Sequence, residues 1–111
     1  MICMHNFPKY GNINSNFEDS CGYLTETFVG IGGCSTWDDV LKHVKGDYHA
    51  VTGCGRTVSA SGGWSMGGGI SFSSRHYVTG VYQVVDFDVV LVNGTHTKAN
   101  VCSNPYLFWG L

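Results

Sequence analysis

The stretch GGWSMGGG, residues 62–69, places five glycines among eight residues. Glycine loses more backbone freedom on folding than any other residue, so a run this dense needs a compensating use. Backbone amides with no side chains around them can lie close to a phosphate, a pyrophosphate or a flat ring, and consecutive N–H groups form an anion-binding nest. The same composition also suits a structural turn or bulge. Familiar phosphate-loop spacings are absent. No Gly-Lys-Ser/Thr occurs, and Gly53-x-Gly55 leads to Val58 where a dinucleotide fingerprint would have its third glycine.

Other residues with chemical potential are scattered. Asp86 and Asp88 are two apart on a candidate strand, the spacing of an acid/base pair on one face, although solvated carboxylates fit that pattern as well. Arg75 and His76 form a basic couple suited to a phosphate or simply to solvent. His5 reads as an ordinary loop histidine. Cys3, Cys21, Cys34, Cys54 and Cys102 are widely spaced with no Cys-x-x-Cys, which excludes the usual zinc pattern. Their odd number suggests scattered, mostly buried thiols rather than a disulfide framework. Asn93-Gly94-Thr95 is a glycosylation sequon that matters only in a secreted protein, and Asn-Gly between apolar runs is first a hairpin turn.

These residues must be positioned by a small fold. The 111 residues suffice for one domain with a modest core. The hydrophobic fraction of 43% argues against disorder, while the charged fraction of 13% implies a surface partly covered by something else. A net charge of −2 with dispersed Lys and Arg gives no footprint for nucleic acid. Residues 1–10 show no signal-peptide pattern, and no stretch reaches membrane-spanning length.

Residues 1–23 read as loop with one short strand at most, and TFVGIGG (27–33) as a strand entering a turn. STWDDVLKHV (35–44) predicts a helix capped by Ser35 or Thr36, with Asp38 and Asp39 at its positive end and Lys42 and His43 at its negative end. Trp37, Val40, Leu41 and Val44 form its expected buried stripe, and Gly46 ends it. HAVTGCG (49–55) predicts a second short strand. The stretch 82–101, centred on Asn93-Gly94, predicts a β-hairpin. The ending NPYLFWGL is apolar without a cap and is expected to need covering by further chain or a partner. The order of elements gives an α+β fold with a mostly antiparallel sheet flanked by one or two helices.

VTGCGRTVSASGGWSMGGGISFSSRHY, then VVDFDVVLVNGTHTKAN, then SNPYLFWGL, resembles the second half of the FAD-binding domain of PCMH-type, or vanillyl-alcohol-oxidase-like, flavoproteins. The berberine-bridge-enzyme-like and isoamyl-alcohol-oxidase-like branch is the nearest in pattern. The resemblance runs over residues 29–111 and leaves 1–28 as a loop-rich remnant of the preceding segment. It implies FAD as cofactor, with Thr57, Val58, Ser59, Ser61, Gly62, Gly63, Gly67, Gly68 and Gly69 on a loop facing the flavin. It further implies an oxidase of alcohols or amines, acting by hydride transfer to FAD with electrons passed to O2, and a chain that alone is incomplete as a catalyst. Its partners would be FAD and the subdomain this segment lacks, or a second copy through the apolar C-terminal face. No nucleic acid or membrane is implied.

The sequence departs from the family pattern at several positions. The histidine after the three glycines is Ile70, and the Tyr-Gly-Leu pattern reads Tyr77-Val78-Thr79. The aspartate of the Asn-x-Asp-Leu-Phe-Trp motif is Tyr106, and Cys54 stands one residue before the position of the family's flavin-linked cysteine, here Gly55. The competing reading is a truncated, non-catalytic relative, or a small glycine-rich interaction module docking through its C-terminal face.

Overall fold

The computed structural model describes residues 10–14, 17–18, 24–25, 27–44, 46 and 48–111. His5, Cys3 and Cys21 lie outside the described residues. The chain divides into two compact units. One comprises residues 29–83 with strand β1 (Tyr10–Asn14), and the other comprises residues 84–111 with β2 (Phe17–Glu18) and β3 (Leu24–Thr25). The class is α+β, with strands paired in twos: β1 with β4 (Phe28–Ile31), β2 with β3, and β5 (Phe87–Val90) with β6 (His96–Ala99). The last two pairs are antiparallel.

In the first unit, α1 (Trp37–His43) starts where the sequence directs it. Thr36 is the N-cap, and Asp39 completes a capping box by accepting from the Thr36 N–H at 3.1 Å. A cap of this kind stabilises a helix by about 1 kcal/mol. Asp38 sits between Lys42, 2.6 Å away, and Arg56, and their cations hold its carboxyl below the ordinary value. The core is Trp37, Val40 and Ala60, with Ile31, Val44, Ala50 and Trp64 packed around it. Leu41 departs from the expected stripe and is 41% exposed. At about 100° per residue, Trp37, Val40 and Val44 centre on one direction, and Leu41 falls on the far side of Trp37 from Val40. The helix gives way at the C-cap Val44, and Gly46 then takes a left-handed φ of +74°.

Residues 49–55 form no strand. Gly53 instead lies against two indoles: a Cβ there would come within 2.8 Å of Trp64 Nε1 and 2.9 Å of Trp37 Nε1. The segment serves as a packing surface for tryptophan, a use that alternation of residue types does not encode.

In the second unit, β5 and β6 pair in the register Phe87↔Ala99 to Val90↔His96, with Phe87 and Val89 half-buried and Asp88 and Val90 exposed. The turn has three residues, not the two suggested by Asn-Gly alone. Leu91 accepts from Gly94 N–H at 2.8 Å, and Leu91 N–H donates to Thr95 at 2.9 Å. Gly94 carries the left-handed φ of +84° while Asn93 does not, the arrangement of a type I turn closed by a glycine bulge. The apolar ending forms α3 (Pro105–Gly110), with Pro105 in its first turn. Phe108 packs on Phe87 at 5.9 Å between ring centroids, while Tyr106 and Trp109 are 92% and 88% exposed.

The cysteines do not follow the expectation of scattered buried thiols. Cys102 is disulfide-bonded, Cys54 is an exposed thiol, and Cys34 is only half-buried. Spacing along the chain could not show this, because a disulfide depends on which distant segments meet. None of the described helices is long and apolar enough to cross a membrane.

Candidate functional site

The glycine run is anchored by the strand-like segment before it. Val58 accepts from Trp37 N–H at 3.1 Å, Ser59 bridges antiparallel to Thr36, and Ala60 N–H donates to Ser35 at 2.8 Å. Residues 58–60 are thereby laid along the start of α1. The next five residues are not an irregular loop. Ala60–Trp64 form one turn of π-helix, closed by the Trp64 N–H donating to Ser59 at 3.2 Å. Its small residues supply the hydrogen bonds that hold a wide turn. Ser59 Oγ accepts from Gly62 N–H at 3.3 Å, Ser65 Oγ donates to Ala60 at 2.6 Å, and Ser61 Oγ donates to Gly32 at 3.0 Å. Single π-turns recur at functional sites, where they present backbone that an α-helix would enclose.

The glycines around this turn divide into two groups. At Gly63 and Gly68 a Cβ would meet nothing within 4 Å, and at Gly62 only Ser59 Oγ at 3.5 Å, although the φ of +99° at Gly68 itself favours glycine. Those faces are open. Gly67 and Gly69 are required by the fold itself. A Cβ on Gly67 would approach the Gly63 carbonyl at 2.8 Å, and one on Gly69 would lie 2.7 Å from Gly80 Cα. Gly69 also has φ of +71° and accepts from Gly80 N–H at 2.7 Å. Gly80 in turn abuts the six-membered ring of Trp64.

Trp64 is the pivot of this packing. Its ring stands edge-on to Trp37 at 4.7 Å between centroids, and its Nε1–H donates to the Ile70 carbonyl at 2.8 Å. Composition shows Trp64 only as an oddity among glycines. The signal that would have revealed it is the pair Gly53 and Gly80, which flank it in space.

Of the expected flavin-facing residues, Thr57, Val58, Gly63 and Gly67 are exposed, Ser59, Ser61, Gly62 and Gly68 half-buried, and Gly69 buried. The open backbone at Gly62, Gly63 and Gly68 fits a flat or anionic group such as FAD, which needs close approach without side chains. Arg75 and His76 lie exposed on α2 (Ser74–Tyr77), and the residue after that helix, Val78, adopts φ of +58°. A β-branched residue there is strained by about 1–2 kcal/mol. The flavoprotein pattern that the sequence resembles has glycine here, and the Val78 backbone is one that glycine adopts freely. Val78→Gly is expected to stabilise the chain by about 1 kcal/mol, read as a higher urea midpoint; an unchanged or lower midpoint would show that Val78 packing outweighs the strain.

Asp86 and Asp88 do not form an acid/base pair. Asp86 is not a solvated strand carboxylate: its side chain is 11% exposed, it accepts from Lys98 Nζ at 3.0 Å and Asn100 Nδ2 at 3.1 Å, and it raises the pKa of Lys98. Asp88 lies 3.3 Å from His96 on the exposed face. Among the described residues, no group of three His, Cys, Asp or Glu is placed to hold a metal ion.

No family model matches the chain, and no solved structure matches it. Curated proteins do. An FAD-linked oxidoreductase of Aspergillus flavipes is 49% identical over 61 residues, covering 55% of this chain and 10% of that protein. One of Phaeosphaeria nodorum is 48% identical over 71 residues, covering 64% of this chain and 16% of the relative. An FAD-dependent monooxygenase of Penicillium roqueforti is 37% identical over 87 residues, 78% of this chain and 17% of the relative. A match of 71 or 87 residues within 111 necessarily includes the glycine run. The chain therefore spans between 10% and 17% of the length of these relatives. Over the segment it spans, the chain is a homologue of the FAD-linked oxidoreductases.

Proposed function

We propose that this chain forms part of the FAD-binding surface of a flavin-dependent oxidoreductase, with residues 29–111 contributing the second half of a PCMH-type domain of the berberine-bridge-like or isoamyl-alcohol-oxidase-like branch. The complete enzyme oxidises an alcohol or an amine and passes the electrons to O2. The observation that carries this reading is the open backbone faces at Gly62 and Gly63 on a single π-turn, with that of Gly68 in the turn after it, within a segment shared with proteins named as FAD-linked. The glycine-like backbone at Val78 supports it.

FAD, when bound, supplies the hydride acceptor, and the protein supplies binding and orientation. In this chain Gly62, Gly63 and Gly68 would offer backbone contact, and the exposed Thr57 a hydroxyl. Val58 and Met66, 41% and 50% exposed, would exclude water from a ring laid against the turn. Alone, the chain holds only one wall of such a site.

Adding FAD to the purified chain is expected to quench flavin fluorescence, and Gly63→Ala to weaken that quenching at least several-fold with the fold intact. A second reading, a non-catalytic docking module, draws on exposed Tyr106 and Trp109. Dimers by light scattering, with flavin fluorescence unaffected, would replace the first reading by the second.

A further inference from the structure

Asn93-Gly94-Thr95 is the one Asn-x-Ser/Thr triplet in the chain, and the fold sets it at the tip of the β5–β6 hairpin with all three residues exposed. Val92 beside it is fully in solvent. Thr95 N–H donates to Asn93 Oδ1 at 3.0 Å, which turns the carboxamide toward the threonine of its own triplet. Among the described residues, no hydrogen bond engages Asn93 Nδ2. A sequon alone is weak evidence, because only a protein that passes through the secretory pathway meets the modifying enzyme.

The second observation comes from a separate part of the unit. Cys102 is disulfide-bonded. Disulfides persist in oxidising compartments such as the secretory lumen and are rare where glutathione and thioredoxin keep thiols reduced. The disulfide and the exposed sequon point to the same compartment through unrelated chemistry.

We propose that Asn93 is N-glycosylated. Asn93 Nδ2 forms a bond to the anomeric carbon of a lipid-pyrophosphate-linked oligosaccharide. The anomeric C–O bond breaks, the lipid pyrophosphate leaves with the electron pair, and the displaced amide proton passes to a base on the transferase. No group changes oxidation state. A bulky, solubilising glycan at this tip would keep the turn end of the hairpin in solvent.

The test is to isolate the protein from its own cells, confirm the Cys102 disulfide by non-reducing peptide mapping, and treat it with peptide-N-glycosidase in heavy-oxygen water. The expected result is a one-glycan mobility shift and a heavy-oxygen aspartate at position 93, a label that spontaneous Asn-Gly deamidation before treatment does not leave. In secretory expression Asn93→Gln and Thr95→Ala should each remove one glycan while Thr95→Ser retains it. An unmodified peptide spanning Asn93 in native protein would overturn the proposal, as would a reduced Cys102 or a mobility shift that survives Asn93→Gln.

Discussion

Gly69→Ala is expected to lower the stability of the first unit by about 2–5 kcal/mol, the sum of left-handed strain of about 1–2 kcal/mol and overpacking of about 1–3 kcal/mol. Both causes are geometric. Gly69 has φ of +71°, and its missing Cβ would lie 2.7 Å from Gly80 Cα and 2.8 Å from Gly80 N. Backbone cannot rotate away as a side chain can. Gly80 is itself pinned, since it abuts the Trp64 ring and donates to Gly69 at 2.7 Å. Urea unfolding followed by tryptophan fluorescence checks this, because Trp37 and Trp64 report on the contact directly. Gly63→Ala is the matched control. It has open space and no positive φ, so its midpoint should move by less than about 1 kcal/mol, in either direction. Equal losses in the two variants would refute the division of the run into structural and open glycines.

Asn100→Ala is expected to cost the second unit about 2–4 kcal/mol, because it removes three hydrogen bonds made by a buried carboxamide. Asn100 is 1% exposed. Its Oδ1 accepts from Cys102 N–H at 3.0 Å and Ser103 N–H at 2.7 Å, and its Nδ2 donates to Asp86 at 3.1 Å. Alanine removes all three bonds while the ion pair of Asp86 with Lys98 stays in place. Amide hydrogen exchange gives the sharpest reading. The Cys102 and Ser103 amides should be protected in the parent and exchange fast in the variant, whereas the strand amides of β5 should change much less. Protection retained at both amides would mean that another group takes over the acceptor role.

These two residues mark where sequence reading stopped. Asn100 is one polar residue among several near the end of a predicted hairpin, and nothing in its neighbours announces that it is buried. Gly69 was legible as a glycine with a purpose, but the purpose assigned from the sequence was a ligand, while the fold itself already demands it. Gly63 looks identical to Gly69 in sequence and has open space instead, while Gly68 has open space but a φ of +99° that itself favours glycine. The backbone left open for the proposed cofactor surface is thus smaller than the run of residues 57–69 suggests. The π-turn was also hidden, because Gly-Gly reads as loop under any local rule, and the turn forms only when Ser59 and Ser65 close it by hydrogen bonds.

By itself the sequence determined the features that depend on residues a few positions apart. The Thr36–Asp39 capping box started α1 as expected, Trp37 and Val40 faced inward, and the alternation around Asn93-Gly94 produced a hairpin. The ordered motifs of the flavoprotein resemblance belong here too, since homology to FAD-linked oxidoreductases includes the glycine run. The tertiary structure alone decided which glycines are spoken for, why residues 49–55 are not a strand, that Asn100 is an internal acceptor and that Cys102 is oxidised. Each of these depends on two segments distant along the chain coming within contact distance. Backbone propensity and capping act over a single turn, whereas the meeting of Gly69 with Gly80, or of Gly53 with Trp64, is set by how whole segments pack.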